Sequence, residues 1–183
     1  MKIRIIGYAG SGKTSLTSRL QTQYNTQGIS LDDYLKIKNK EHRQSALNDR
    51  LNALNSWVVE GVQVSQWTIE SIKQADIIVV LDYPLIISQF RVTKRAFQQF
   101  FDFNRPWSQR KRVFKRMFKL YKWNRRFKKR LPTIKTSLYK QSAKLIILES
   151  PKDEDRLHKE IKSYIRHHPQ KKSRRKKIKK KTK

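Results

Sequence analysis

Short apolar runs alternate with longer amphipathic stretches along this chain. Five compact runs, rich in β-branched residues, predict strands at 2–6, 29–31, 56–60, 77–81 and 144–149. The polar, periodic stretches between them predict helices at 13–24, 40–55, 66–74, 84–100, 107–129, 132–142 and 150–166. Residues 77–81 are apolar at every position, as in a central parallel strand buried on both faces. The alternation therefore predicts an α/β fold with a parallel sheet and right-handed crossovers.

Proline and capping residues set the predicted helix ends. Pro132 predicts a break in the basic stretch and the start of a new helix. Ser150 followed by Pro151 is a good helix start, since serine caps and proline suits the first turn. Pro84 is predicted in the first turn of another helix, with Asp82 as its cap.

Residues 7–14 spell Gly-Tyr-Ala-Gly-Ser-Gly-Lys-Thr, the P-loop pattern, between a predicted strand and a predicted helix. The glycines let backbone N–H groups turn inward, and the helix N-terminus favours a phosphate. Lys13 is placed to reach the β- and γ-phosphates, and the Thr14 hydroxyl to bind Mg²⁺. The motif predicts a nucleotide triphosphate site, with the binding residues Gly7, Ala9, Gly10, Ser11, Gly12, Lys13, Thr14 and Ser15.

Charge is extreme and uneven in this sequence of 183 residues. The formal net charge is +30, and no acidic residue occurs between 104 and 148. Residues 167–183 carry ten Lys or Arg and no acid, so we expect a disordered tail. Such a field attracts polyanions, including nucleic acid and anionic lipid, although the tail also suits a merely solubilising end.

Composition narrows the class of protein further. One α/β domain with a small insertion and a tail fits this length. The absence of cysteine excludes disulfides and thiolate metal sites. We expect a cytoplasmic protein without a membrane span, because no apolar run approaches a spanning length and the first one ends at Ile6, too early for a signal peptide.

Four acids follow predicted strands, where ligands of parallel α/β sheets bind: Asp32, Asp33, Glu60 and Asp82. Phosphoryl transfer uses one carboxylate for Mg²⁺ and another for the attacking hydroxyl. Glu60 suits the metal, through a water molecule, and Asp32 or Asp33 suits the acceptor. A helix cap or turn residue is the alternative for each of them.

Arginines supply the charge that stabilises a transferring phosphoryl group. Arg91 and Arg95 are four residues apart and share one helix face. The basic stretch holds further arginines that could bind phosphate, although their spacing does not distinguish this role from that of ordinary surface charges. They are Arg105, Arg110, Arg112, Arg125 and Arg126.

The basic stretch is also aromatic. Phe114, Phe118 and Tyr121 recur at helical spacing, which favours an amphipathic helix packed on the domain. The alternative is an exposed basic and aromatic surface for single-stranded nucleic acid or a membrane.

Several segments resemble a known family. Glu60-Gly61 after an apolar strand resembles the acid-glycine step of adenylate kinase-like P-loop kinases. Within them, the chain is most similar to the bacterial DNA topology modulation protein group, on these segments: 57–61, 75–78, 81–84, Arg91-Val92, Lys94-Arg95, Trp123-Asn124 and 148–152. The resemblance covers about residues 1–165.

The resemblance implies a P-loop three-layer sandwich with a five-stranded sheet in the order 2-3-1-4-5, ATP and Mg²⁺. It implies a domain at 1–166 with a helical lid at about 101–130. It suggests Arg91 near the adenine, Arg95 near the phosphates and Asp32 at the acceptor. The chain departs from the group at 34–38, where Tyr-Leu-Lys-Ile-Lys replaces a tryptophan-rich stretch, in its basic lid and in its tail.

These features together predict a kinase that transfers the γ-phosphoryl group of ATP to a small acceptor, such as a nucleoside or nucleotide. Lys13, Asp32 or Asp33, and Arg95 are its predicted catalytic residues. The alternative is a nucleotide-regulated nucleic-acid-binding protein with weak ATPase activity, whose basic insertion and tail would contact the nucleic acid without sequence preference.

Overall fold

The computed structural model describes residues 1–104 and 106–168 of the chain. Over this part, five parallel strands form one sheet in the order β2-β3-β1-β4-β5. The strands are β1 (Lys2–Gly7), β2 (Gln27–Ser30), β3 (Trp57–Glu60), β4 (Ile77–Leu81) and β5 (Lys144–Leu148). The expected α/β class and strand order are confirmed.

Helices cover both faces of the sheet. They are α1 (Lys13–Tyr24), α2 (Leu31–Tyr34), α3 (Lys40–Asn52), α4 (Ile69–Lys73), α5 (Leu85–Phe100), α6 (Trp107–Tyr139) and α7 (Glu154–His167). Single 3₁₀ turns, Gln66–Thr68 and Pro151–Asp153, precede α4 and α7. Within the described ranges, none of the helices is both long and apolar enough to cross a membrane.

The alternation of side chains along β1 shows how the layers arise. Ile3 and Ile5 pack against α1 and α7 on one face, whereas Ile6 packs on the other face against α3, α4 and the later part of α6. β4 is buried at every position because it lies between β1 and β5 with helices above and below. The result is a three-layer sandwich.

The strand register brings several chain segments to one edge of the sheet. Gly7 pairs with Leu81, and Glu60 pairs with both Ile5 and Ser30. The P-loop after β1, the turn after β2 and the loop after β3 therefore start side by side. This carboxyl edge is where ligands bind in parallel sheets.

The expected helix break at Pro132 is wrong. α6 runs without interruption from Trp107 to Tyr139 with Pro132 inside it. Proline removes a helical hydrogen bond there, but Phe127, Leu131, Ile134 and Leu138 continue one buried stripe across it. Packing of that stripe on the sheet offsets the lost bond, since tertiary burial contributes more to a helix than propensity does.

Two local expectations also change. Asp82 does not cap α5, whose N-cap is Pro84; its carboxylate accepts hydrogen bonds from the ammonium groups of Lys128 and Lys135. Asp82 thus fixes α6 to the end of β4. Leu31, expected at the end of β2, instead begins the one-turn helix α2, where its side chain is buried in the core.

The hairpin of α5 and α6 extends from the sandwich with a small core of its own. Val92 and Ala96 of α5 pack against Val113 and Met117 of α6. Phe114 and Tyr121 lie partly buried against this core, as their spacing predicts, whereas Phe118 is exposed. The amphipathic interpretation therefore holds for two of those three aromatic residues.

Candidate active site

The P-loop has the backbone that its glycines predict. Gly10 and Gly12 have φ values of +80° and +98°, a region that side chains rarely adopt. A Cβ atom at Gly10 would lie 2.6 Å from the carbonyl oxygen of Ser88 and 2.9 Å from Val92 Cγ2. The loop therefore packs tightly on α5, and its tip leads directly into the N-terminus of α1 at Lys13.

Asn124 holds the loop from the other side. This residue is fully buried in α6; its Nδ2 donates to the Ala9 carbonyl at 2.9 Å, and Ala9 N donates to its Oδ1 at 3.1 Å. The Tyr8 hydroxyl donates to the carbonyl of Tyr83, and burial raises the pKa of Tyr8 to about 12. The loop backbone is thus fixed before any ligand binds, which lowers the entropy cost of binding.

Lys13 lies where charges of both signs meet. Its Nζ donates to the Tyr8 carbonyl at 3.1 Å. Burial lowers the pKa of its ammonium, and the negative charges of Glu60 and Asp32 act in the opposite direction. The positive charge of Arg95 lowers it further, so Arg95 lies within electrostatic range of Lys13. A phosphate chain here would meet a cation that is already partly removed from water.

Glu60 and Thr14 form an oxygen-rich corner beside Lys13. The Thr14 hydroxyl and the Ser30 hydroxyl each donate to Glu60 Oε1 at 3.1 Å. Hard oxygen donors suit Mg²⁺, which usually takes one or two protein ligands and completes its shell with phosphates and water. In the described part of the chain, no three His, Cys, Asp or Glu side chains converge on a metal position. Thr14 with Glu60 therefore fits a phosphate-bound magnesium ion.

A buried arginine supports this corner from below. Arg4 lies in β1 with no exposed surface; its Nη1 donates to the Gly61 carbonyl at 3.2 Å and its Nη2 to the Gln63 carbonyl at 2.8 Å. Burial lowers the pKa of Arg4 to about 9, opposed by the negative charge of Glu60. Arg4 remains protonated at neutral pH and fixes the loop that follows β3.

A cleft of about 710 Å³ opens beside the P-loop and is lined by Lys13 and Asp32 together. Asp32 Oδ1 accepts a hydrogen bond from Gln63 Nε2 at 2.8 Å. The opposite wall belongs to α6 and is cationic, with Arg112, Lys115, Arg116 and Lys119. Apolar side chains complete the lining: Leu35, Val62, Leu120 and Trp123.

Asp33 lies apart from this cleft. It lines a separate depression of about 320 Å³ with Tyr34 and Arg50, and its Oδ1 accepts from the ammonium of Lys36 at 3.3 Å. The structure therefore brings Asp32, and not Asp33, together with Lys13.

Sequence comparison gives no relative for this chain: no family model matches it, and neither does any curated protein. Among solved structures, it is similar to a shikimate kinase from Bacteroides thetaiotaomicron, with 17% identity, 92% of this chain and 98% of that chain covered, and a TM-score of 0.53. It is also similar to a deoxyadenosine kinase from M. mycoides with bound dATP, with 13% identity, 89% and 100% covered, and a TM-score of 0.53. The chain has a P-loop kinase fold. At these identities the likeness establishes the fold alone.

In this P-loop kinase fold, the two predicted arginines of α5 differ, because only Arg91 contacts the loop. Arg91 Nη1 donates to the carbonyl of Ser11 at 3.2 Å, and its guanidinium lies 5.9 Å from the ring centre of Tyr83. Arg95, one turn further along, is exposed. Ser11 is buried under the loop, whereas Ser15 is exposed in the first turn of α1.

The candidate lid arginines occupy different surfaces. Arg112 lines the cleft, whereas Arg125 and Arg126 line a separate groove between α5 and α6. Arg110 Nε donates to the Phe100 carbonyl at the tip of the hairpin. Arg105 lies outside the described residues.

Sequence reasoning missed several residues around the site. Asn124 was noted only as part of a segment of the family resemblance, with no role, and Arg4 gave no signal, because a lone cation in an apolar run has many meanings. Gln63 was hidden in a loop. The cleft wall did have a signal: Arg112, Arg116 and Lys119 recur at helical spacing on one face of α6.

Proposed function

We propose that this protein is an ATP-dependent phosphotransferase that transfers the γ-phosphoryl group to a small acceptor in the cleft. One observation supports this most strongly: Lys13 of the P-loop and Asp32 line the same cleft, opposite a cationic wall. A phosphate chain and an acceptor hydroxyl would there share one cleft, which is the proximity that phosphoryl transfer needs.

The loop supplies the nucleotide site. Gly7 would begin the turn, and the N–H groups of Gly10, Gly12, Thr14 and Ser15 would face the phosphates. The N–H of Ala9 would stay with Asn124 and that of Ser11 with the Tyr8 carbonyl. Lys13 would leave the Tyr8 carbonyl and bind the β- and γ-phosphates. Arg91 would lie toward the base and Arg95 toward the phosphates. Thr14, with Glu60 through water, would hold magnesium, which neutralises phosphate charge.

Asp32 would orient the acceptor hydroxyl and accept its proton, while Gln63 holds the carboxylate in place. The cations Arg112, Lys115, Arg116 and Lys119 favour an acceptor that carries an anionic group of its own. The apolar side chains, with Trp123 among them, favour a planar or hydrophobic body. A phosphorylated nucleoside fits both features better than a neutral sugar does.

The lid proposed at 101–130 spans two unlike parts of α6. Asn124 and Phe127 are fixed to the P-loop and the core, so closure over a nucleotide would involve the residues before Asn124. That segment holds Arg112 and Arg116. The narrower resemblance to the DNA topology modulation protein group rests on the sequence segments given above and is part of this proposal.

Nucleotide-regulated binding of nucleic acid, with weak ATPase activity, is the second candidate. The observation that favours it is a groove of about 920 Å³ lined by Phe118, Tyr121, Arg125, Arg126 and Lys129. We expected the basic tail to assist this binding. Its residues from 169 onward lie outside the part of the chain that the structure describes.

Labelled ATP separates the two candidates. Incubation with Mg²⁺ and a panel of nucleosides, nucleoside monophosphates, shikimate and other hydroxyl metabolites should place the label on one acceptor. Lys13→Ala should reduce that transfer by about 10²–10³-fold, whereas Lys36→Ala, an exposed lysine away from the cleft, should match the wild type. Label released only as free phosphate and stimulated by nucleic acid would overturn the proposal in favour of the second candidate.

A further inference from the structure

A strip of large apolar side chains runs along the outside of the α5–α6 hairpin. Phe90 is 68% exposed and Phe103 is 79% exposed. We name as the apolar strip the six exposed residues Ile86, Phe90, Phe97, Phe101, Phe103 and Trp107. Ile86, Phe90 and Phe97 share one face of α5 at its helical period, and Phe101, the C-cap residue, follows Phe97 by four residues and continues that face.

In the described part of the chain, the side chains of this strip stay 47–79% exposed, with Phe97 touching the ring of Phe114 and both Phe101 and Trp107 touching that of Phe100. The opposite face of α5 is buried through Ser88, Val92 and Ala96, which contact the P-loop and α6. On the outer side, a depression of about 560 Å³ runs between Phe90, Phe97 and Phe101, with Lys94 at its border. Contiguous exposed apolar surface of this kind marks a site for a partner or a membrane.

The charge around the strip selects an anionic occupant. Between Asp82 and Glu149, Asp102 is the sole acidic residue of the sequence. Lys94 borders the strip, and Arg110 and Lys111 lie over the ring of Trp107. A second copy of this chain would bring two such cationic surfaces together, at a net charge of +30 each, so self-association is disfavoured.

The ring geometry separates the two anionic occupants, nucleic acid and lipid. Bases bind proteins by stacking on open ring faces. Phe97 and Phe101 already stack on each other with centroids 6.3 Å apart, and Arg110 lies 4.6 Å from the centroid of Phe103 and 5.1 Å from that of Trp107. The strip begins with Ile86, which has no ring. Four of the five rings of the strip thus already have a partner at a ring face, and Ile86 offers only methyl groups, so the surface suits acyl chains better than bases.

We propose that the apolar strip binds the surface of a bilayer rich in anionic lipid. α5 would lie in the interfacial plane with Ile86, Phe90, Phe97 and Phe101 among the upper acyl chains. Lys94, Arg110 and Lys111 would contact the headgroup phosphates, which is the usual division for amphipathic interfacial helices. The P-loop lies on the buried side of α5 and would remain open to solution.

Vesicle co-sedimentation of the full chain tests this proposal, with about 30% phosphatidylglycerol in phosphatidylcholine against phosphatidylcholine alone. The double variant Phe90→Ser/Phe101→Ser removes the centre of the strip. The matched control, Phe118→Ser/Tyr139→Ser, removes two exposed aromatic residues outside it. All proteins keep the same tail, so charge attraction by the tail is constant.

We expect wild type and control to bind the anionic vesicles alike, and the strip variant to bind about tenfold or more weakly. Near-identical thermal melting of the three proteins would show that the variant is folded. Equal binding by both variants would overturn the proposal, since charge alone would then explain it. Loss of single-stranded oligonucleotide binding in the strip variant, with vesicle binding unchanged, would overturn it in favour of nucleic acid.

Discussion

The two halves of α6 have nearly the same content of Lys and Arg but different surroundings. Residues 124–139 bury Asn124, Phe127, Leu131, Ile134 and Leu138 against the P-loop and the sheet. Residues 107–123 bury only Val113 and Met117, against the small core of the hairpin, and expose Trp107 and Phe118. Both halves are rich in Lys and Arg, so charge does not decide which half packs against the sheet.

The spacing of the inward-facing residues does not decide which half of α6 packs against the sheet either. The inward positions 113, 117, 120, 124, 127, 131, 134 and 138 alternate steps of four and three residues through the whole helix. What differs is the partner: a sheet face covers the second half, whereas a single helix, α5, covers the first. The first half is therefore left with cations in the cleft and with Trp107 and Phe118 exposed to solvent, where they contribute little to stability.

Truncating one phenylalanine in each half of α6 should give the largest difference in the free energy of unfolding. Phe127→Ala should reduce the free energy of unfolding by about 3–5 kcal/mol, because it empties space beside Tyr8 and Leu131. Phe118→Ala should change it by no more than about 0.5 kcal/mol, because that ring is mostly exposed. Urea denaturation measures both, and similar losses would contradict the division between the two halves.

Asn124 tests the link between the docked half and the loop. Asn124→Ala leaves the partly buried N–H and C=O of Ala9 without their partners, which should lower the free energy of unfolding by about 1–3 kcal/mol. The P-loop should also lose its fixed shape, so calorimetry should show weaker binding of Mg²⁺-ATP below the melting temperature. Gln109→Ala, at an exposed site in the first half, is the control; an Asn124 variant that binds nucleotide as the wild type does would show that the loop needs no such anchor.

Alkaline unfolding should report on the same buried region, with a smaller effect. Burial raises the pKa of Tyr8 and of Tyr83 to about 12 from an ordinary value of 10. The folded state therefore holds these protons more tightly than the unfolded state, and their stabilising contribution is complete below pH 10. It declines as the pH rises from about 10 to about 12. Denaturation across this range should show the decline, and Tyr8→Phe should make it shallower; an unchanged slope would count against the buried phenol.

The sequence predicted the parts of this structure that depend on neighbouring residues. The P-loop and the five strands were found because their signals are local: glycine spacing and short apolar runs. The break expected at Pro132 was wrong, because the stripe from Phe127 to Leu138 is stabilised by a sheet that is distant in sequence. The ion pairs of Asp82 with Lys128 and Lys135 are non-local in the same way.

At the candidate site, too, the sequence predicted local features but not contacts between distant residues. Glu60 and Asp32 were identified as candidates because parallel strands end at one edge. Their separate partners, Ser30 and Gln63, depend on side-chain directions that spacing does not give. That Asp32 shares a cleft with Lys13 while Asp33 lines a separate depression needed the structure, since adjacent residues at a helix start point in different directions.

That pair of adjacent aspartates also gives the most direct test of the proposed function. With the acceptor found by the labelled-ATP panel, kcat would be measured for Asp32→Asn and Asp33→Asn, which change the same atoms one residue apart. Asp32→Asn should lower kcat by about 10²-fold or more, as loss of a positioned base does, while Asp33→Asn should stay within about twofold of the wild type. Equal losses, or a larger loss for Asp33→Asn, would show that phosphoryl transfer does not occur in the cleft that Lys13 and Asp32 share.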